Sequence, residues 1–350
     1  MNIHPFTHKP LVSVARDWLV TLAVVFAFTT LILLAAGAPP LTAYYHIFLG
    51  AFGSWVKFGH AVKAWIPLTL CACGLLYTFR IGLWNIGIEG QMIMGAVFAT
   101  AVLRFGVGSE NEILFLWLSF PAGLIGGAFW AVIAGFLKTK CGVNEIFAGL
   151  GLNFVAQGFI LWLIFGPWKQ PGVASMSGTE TFPTILWLPQ AFSINVPPAG
   201  ILLTVLALCV TAYILRATRI GLNLKAIGNN PAASVLFGLH PGRYMLLAMI
   251  FAGGLAGLAG CIQVAAVYHR LIPAISSGYG YLALLVVMLA GFRTGITPVV
   301  SLFFAGLNVG SIQLPIVLQL DSSLSGVIQG SLVLATLGIH AWRNLREAAP

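Results

Sequence analysis

The sequence predicts an all-α, polytopic membrane bundle of about ten transmembrane helices with both termini in the cytoplasm. Three observations carry that expectation. The 350 residues are 59% hydrophobic and only 7% charged, with a mean hydropathy of +0.97. Soluble domains carry roughly a quarter charged residues, so the solvent around most of this chain is lipid. Apolar runs near the ~20 residues needed to span a bilayer recur along the chain. Its Lys and Arg residues also distribute unevenly between alternate connecting segments, as orientation in a membrane requires.

Residues 1–17 are polar, with His4, His8, Lys9 and Arg16, and form an expected cytoplasmic N-terminal segment. Trp18–Ala36 is an apolar run long enough to span, closed by Gly37-Ala38-Pro39-Pro40, and reads as an uncleaved anchor. Between Pro40 and His60 the chain is rich in aromatic residues and glycine, which suits an interfacial segment outside the membrane. Further spans are expected near 61–79, 83–104, 113–137, 143–166, 198–215, 243–267, 279–292, 296–314 and 324–341. The stretch 279–292 is short enough to be tilted, broken or re-entrant. With the N-terminus inside, only Lys57, Lys63, Arg104, Lys169 and Arg270 of the 17 basic residues fall outside. Residues 342–350 become a cytoplasmic tail, and 1–350 read as one transmembrane domain.

Two connecting segments are long. The outer loop 167–197 carries prolines and the indoles of Trp168 and Trp187. The inner loop 216–242 carries helix signals: Thr218 to Ile227 is amphipathic and stops at Gly228. Asn230 then supplies an N-cap, Pro231 fits the first helical position, and Gly238 closes the second helix. Glycine pairs four apart, Gly123 and Gly127, Gly253 and Gly257, Gly306 and Gly310, Gly326 and Gly330, predict close helix packing in lipid.

The chemistry-bearing motifs that would mark an enzyme are absent from the sequence. Gly-Lys never occurs, so there is no phosphate-binding loop, and neither His-Glu-x-x-His nor Gly-x-Ser-x-Gly is present. The five cysteines sit in or beside apolar runs without metal spacing, and the seven histidines lie mostly near ends and loops. The net charge of +9 comes from scattered single residues and not from a basic face, which argues against a nucleic-acid partner. No catalytic residue, metal or cofactor bound by this chain is expected.

Polar residues inside apolar spans are therefore the informative ones. A carboxylate at bilayer depth costs at least about 2.5 kcal/mol, so Glu89 is expected to face the bundle interior, a water path or a partner. Read as a helix, Asn85 and Glu89 stand four apart on one face, where they could satisfy one another, cap a broken helix or contact a solute. Glu89 opens its span, which places it near the cytoplasmic end. Asn153 and Gln157 repeat the spacing deeper in the fifth expected span, and Gln263 and Tyr268 follow in the seventh. Asn85, Glu89, Asn153, Gln157 and Gln263 are the expected residues of a substrate path.

The run Leu83-Trp84-Asn85-Ile86-Gly87-Ile88-Glu89-Gly90-Gln91 resembles the Asn-Ile-Gly-x-Glu-Gly-Gln signature of membrane permease subunits from ABC importers of simple sugars and nucleosides. Gly142-Val143-Asn144-Glu145 with Leu152-Asn153, and Thr218-Arg219-Ile220-Gly221 running to Ala226-Ile227-Gly228-Asn229-Asn230-Pro231-Ala232-Ala233, match the same family in the same order. The Glu-Gly-Gln and Gly-Val-Asn-Glu runs look closest to its nucleoside-type members. Trp84 and Asn229-Asn230 depart from the pattern, which leaves the solute open.

The resemblance implies a permease in the bacterial cytoplasmic (inner) membrane. It also implies a second permease subunit, identical or homologous, a cytoplasmic ABC ATPase that uses ATP and Mg, and an external solute-binding protein or lipoprotein. It gives the inner loop a coupling role against the ATPase, centred on Arg219, Gly221, Lys225, Asn229, Asn230, Pro231 and Ala233. The rival expectation is a stand-alone ion-coupled secondary transporter in which Glu89 and Glu145 carry the ion. A membrane-embedded enzyme comes third, disfavoured by the lack of clustered His, Asp or Ser.

Overall fold

The computed structural model describes residues 39–312 apart from 171, 173–177 and 192–193, together with 23–24, 26–31, 33–35, 37, 317, 330 and 338. Secondary structure there is helical, with a single isolated bridge between Ala191 and Val196. The helices in order are α1 (Pro40–Phe52), α2 (Trp55–Arg80), α3 (Ile88–Gly106), α4 (Glu112–Thr139), α5 (Glu145–Phe165) and α6 (Pro198–Ala217). They continue as α7 (Arg219–Asn229), α8 (Pro231–Leu236), α9 (Pro241–Ile262), α10 (Tyr279–Leu289) and α11 (Thr297–Ser311). Six are long and apolar enough to cross a membrane: α2 to α6, and α9 with its continuation to Tyr268. Of the expected first span, Trp18–Ala36, residues 23–24, 26–31 and 33–35 are described and all are helical, whereas nearly all of the last span lies outside the described residues.

The chain divides into two compact units. The larger holds Ile66–Phe192 and Val196–Pro298, and its centre is the contact of α3, α4 and α9 through glycines. A Cβ on Gly95 would run into the backbone of Gly257, and one on Gly127 into the backbone of Gly253. On Gly123 it would lie 3.0 Å from the Gly257 carbonyl oxygen. Lipid provides no hydrophobic drive between helices, so backbone-to-backbone approach of this kind supplies the dispersion energy that holds them. Two of the expected glycine pairs are thus interhelical seams. In the smaller unit Gly310 of α11 packs on the Ile47 backbone of α1, and Gly306 faces Phe52; the fourth pair includes Gly326, outside the described residues.

The segment 40–60, expected to be interfacial, is helical as α1 and the first turns of α2. Pro39-Pro40 starts α1, and Gly53-Ser54 interrupts the chain before α2 begins at Trp55, ahead of the expected residue 61.

A second difference lies before α3. The helix begins at Ile88 and not at residue 83, because Gly82 adopts a left-handed φ of +82° and Leu83 to Asn85 are non-helical. Asn85 and Glu89 therefore do not share a helical face.

The short span expected near 279–292 is the continuous helix α10, and a break in the chain precedes it. A π-helical turn, Gln263–Tyr268, ends at His269 in the left-handed region (φ +54°). A non-helical passage follows, and α10 restarts after Ser277 (φ +49°) and Gly278 (φ +72°). Eleven residues of α10 rise only about 16 Å, roughly half the ~30 Å hydrocarbon thickness.

Candidate functional site: a buried polar knot and a cytoplasmic helix pair

The glycine at 278 gives α10 no side chain with which to cap its own first amides. Glu89 from α3 supplies one instead. Its Oε2 accepts the Gly280 N–H at 2.8 Å, and its carboxylate also interacts with the Ser276 hydroxyl and the amides of Gly278 and Tyr281. Orphan N–H groups and the positive end of the helix dipole meet a negative charge there, which offsets the cost of placing a carboxylate only 6% exposed within the bundle. Glycine is required at 280, since a Cβ there would lie 2.5 Å from Glu89 Oε2 and 2.8 Å from Glu89 Cα.

Asn85 pairs with Gln91 and not with Glu89. The two amides exchange hydrogen bonds in both directions at 3.0 Å, with the residues 1% and 0% exposed. This reciprocal pair staples the 83–87 turn onto the first turn of α3. Asn153 Oδ1 accepts the Gly90 N–H at 2.8 Å, and its Nδ2 donates to the Ile86 carbonyl at 3.0 Å and to the Tyr281 hydroxyl at 3.1 Å. One amide thus joins α5, the start of α3 and α10. Beside it, the Trp130 indole N–H is buried with no hydrogen-bond partner among the described residues.

Gln157, one turn further along α5, donates to the Pro273 carbonyl at 3.0 Å. Gln263 approaches the Ile275 carbonyl at 3.5 Å, and Tyr268 lies 3.0 Å from the Ser277 hydroxyl. All five expected path residues therefore gather on the broken passage 269–281 or on the turn before α3. Sequence reasoning missed Gln91 as Asn85's partner, and Ser276, Gly280 and Tyr281. The Ser276-Ser277-Gly278-Tyr279-Gly280 run ahead of an apolar segment was the available sign of a helix start.

The outer loop covers the same break from its other end. Thr179, Phe182 and Leu188 donate backbone N–H groups to the carbonyls of Leu271, His269 and Ala265, each at 2.9 Å, and Trp187 stacks on His269 with ring centroids 3.8 Å apart. These bonds satisfy carbonyls that the end of α9 frees.

The inner loop forms the two helices expected of it. Thr218 caps α7 by accepting from Gly221 N–H at 3.4 Å, and Asn230 caps α8 by accepting from Ala233 N–H at 3.0 Å. Pro231 opens α8, and Gly238 at φ +76° follows it; α7 runs one residue past Gly228, to Asn229. Its buried face is Gly221, Leu224 and Ile227. Gly228 packs on the Arg80 carbonyl and Asn223 Nδ2 donates to the Tyr244 hydroxyl at 2.7 Å, so the pair is held by α2 and α9. Arg219, Asn229, Asn230 and Pro231 are exposed, while Lys225 and Ala233 are half-buried. Beyond them Leu236 and Phe237 are 88% and 84% exposed, an apolar tip that the sequence reading passed over. Glu145, at the start of α5, forms an ion pair with Lys138 at 2.7 Å. No cluster of three His, Cys, Asp or Glu able to hold a metal occurs among the described residues.

Membrane-length helices, a half-length helix capped from another span and a paired-helix loop define a polytopic membrane protein. Residues 60–337 match the family model described as "Branched-chain amino acid transport system / permease component". The glucose ABC transporter permease protein TsgB13 of Haloferax volcanii is 30% identical over 90% of this chain and 84% of its own. The nucleoside ABC transporter permease protein NupB of Lactococcus lactis is 28% identical over 69% of this chain and 68% of its own. The guanosine ABC transporter permease protein NupP of Bacillus subtilis is 24% identical over 93% of both. The chain belongs to this family of ABC transporter permeases.

Proposed function

We propose that the chain forms half of the membrane path of an ATP-driven importer for a small polar solute, a nucleoside or purine ahead of a simple sugar. The observation that carries this is the similarity to nucleoside, guanosine and glucose permeases across most of the chain. In this reading residues 1–350 act as one permease domain of ten spans in the bacterial inner membrane, with both termini cytoplasmic. It pairs with a second permease, identical or homologous. An external binding protein or lipoprotein delivers the solute, and a cytoplasmic ATPase uses ATP and Mg. The chain itself binds no cofactor and performs no covalent step.

Asn85, Glu89, Asn153, Gln157 and Gln263 are the proposed path residues. Glu89, Asn153, Gln157 and Gln263 bond to residues of the break between α9 and α10 or the first turn of α10, and Asn85 holds the turn before α3; unwound backbone of this kind can present polar groups to a solute inside the membrane. Arg219, Gly221, Lys225, Asn229, Asn230, Pro231 and Ala233 are the proposed coupling residues. Exposure of the cap and first turn of α8, on a base fixed to α2 and α9, suits a lever that transmits force. The binding of Glu89 to α10 and of Glu145 to Lys138 disfavours both as carriers of a coupling ion.

The test is uptake in proteoliposomes containing this permease with its partner permease, ATPase and binding protein. ATP-dependent uptake of a nucleoside or simple sugar is expected. Uptake that persists without the ATPase would overturn the reading in favour of a secondary transporter.

A further inference from the structure

Three aromatic rings meet where α2 ends, where α3 is about to begin and where α10 ends. Phe79 lies edge-on to Trp84, with centroids 5.3 Å apart and an interplanar angle of 83°. It lies 5.1 Å from Phe292 at 62°. All three are only half-buried, although each comes from an apolar stretch that could have hidden it. Edge-to-face geometry leaves ring faces unpaired with one another.

Phe292 also occupies a conformation that its own chemistry opposes. The α10 C-terminus turns through Gly291 (φ +60°) and Phe292 (φ +58°), with Gly291 N–H bonding to the Met288 carbonyl and Phe292 N–H to that of Val287, each at 3.0 Å. Such a helix stop ordinarily uses glycine or asparagine, and a bulky side chain in the left-handed region is strained. Strain of this kind persists at positions where a side chain is needed for a task. Two residues on in the chain, the Thr294 hydroxyl is buried with no hydrogen-bond partner among the described residues.

Its place in the fold is equally specific. Trp84 immediately precedes Asn85, at the mouth of the polar knot, and Phe292 is one half-helix from Glu89 along α10. Arg80, next to Phe79, touches Gly228 of α7, so the cluster stands on the side of the helix-pair loop.

We propose that Phe79, Trp84 and Phe292 form a stacking site for the planar base of a nucleoside at the cytoplasmic end of its path. This rests on the nucleoside reading above. A base has a π-face whatever its edge substituents, so aromatic faces accept it without fixed hydrogen-bond registry. Thr294 adds one hydrogen bond to the base or the ribose.

The experiment uses the complete importer in proteoliposomes, with 8-azidoadenosine as a photolabel and purine-nucleoside and ribose uptake measured in parallel. Label is expected on the peptides containing residues 79–84 and 292–294, displaced by unlabelled adenosine. W84L and F292L keep apolar bulk but lose the ring face. They are expected to lower nucleoside uptake about fivefold or more, from the usual size of base–aromatic stacking, and to change ribose uptake less than twofold. W84F and F292Y restore nucleoside uptake. Labelling elsewhere, or equal loss for both solutes, overturns the stacking site while nucleoside uptake by the unaltered complex leaves the transport reading intact. An unaltered complex that carries only sugar overturns both.

Discussion

Glu89 Oε2 accepts the backbone N–H of Gly280 at 2.8 Å across 191 residues of sequence, so that a carboxylate in one helix serves as the N-terminal cap of another. The fold explains why substitution of either residue carries a cost: α10 has no side-chain cap of its own, and a methyl group at Gly280 would crowd Glu89. Glu89→Ala is expected to destabilise the detergent-solubilised permease by ~2–3 kcal/mol, since buried amides lose a charged acceptor. Gly280→Ala should cost ~1–3 kcal/mol by overpacking. Glu89→Gln, which keeps an acceptor and loses the charge, should cost ~1 kcal/mol. Thermal unfolding of the three variants checks the order; equal stability of Gly280→Ala and the parent would remove the steric part.

Asn85 and Gln91 give a separate, self-contained test. Because each amide satisfies the other, removing either leaves a buried partner unpaired, whereas removing both does not. Asn85→Ala and Gln91→Ala should each cost ~1–3 kcal/mol, and the double variant clearly less than their sum. Additive losses in a double-mutant cycle would show that the pair is not coupled. Transport measured on the same set separates a path role from a structural one: a path role lowers uptake of the double variant beyond any loss of folded protein.

Residues in the sequence announced the solvent, the membrane-length helices and the α7–α8 pair because those rest on local signals. Hydropathy is a window property, and the Thr218 and Asn230 caps act on amides two or three residues away. The polar knot was legible as a set of residue types but not as a set of partners. Helical spacing puts Asn85 and Glu89 on one face, open to mutual satisfaction, to capping a broken helix or to solute contact, and the left-handed turn at Gly82 removes the helix on which that spacing depends. Glu89's true partner lies in a half-helix 191 residues later, a distance over which periodicity carries no information. Phe292 was invisible for a related reason: nothing local forecasts a phenylalanine at φ +58°.

Glycines of the helix seam separate close packing from mere composition. Gly257 meets Gly123 and Gly127 backbones, whereas Gly158 has nothing within 4 Å of an added Cβ. Gly257→Ala is expected to destabilise by ~1–3 kcal/mol, and Gly158→Ala to be neutral or slightly stabilising. Comparing the two by thermal unfolding checks the α3–α4–α9 seam; equal behaviour would mean that the helices can separate without loss.

The inner loop predicts a loss of coupling without loss of fold. Arg219 is exposed and Ala233 half-buried on two short helices whose buried residues, Leu224 and Ile227, face away toward the bundle. Arg219→Glu with Ala233→Glu should therefore leave the permease folded, with unfolding shifted by less than ~1 kcal/mol, as for most surface changes. Phe237→Asp should behave alike, because at 84% exposure its ring contributes little to the isolated chain. In the assembled importer the same changes should abolish solute-stimulated ATP hydrolysis and uptake, by placing charge on the proposed contact of the loop with the ATPase. By contrast Asn230→Ala, which removes only the cap of α8, should cost ~1 kcal/mol and weaken coupling in part. Full uptake with the ATPase still bound to the Arg219–Ala233 double variant would place the coupling surface elsewhere.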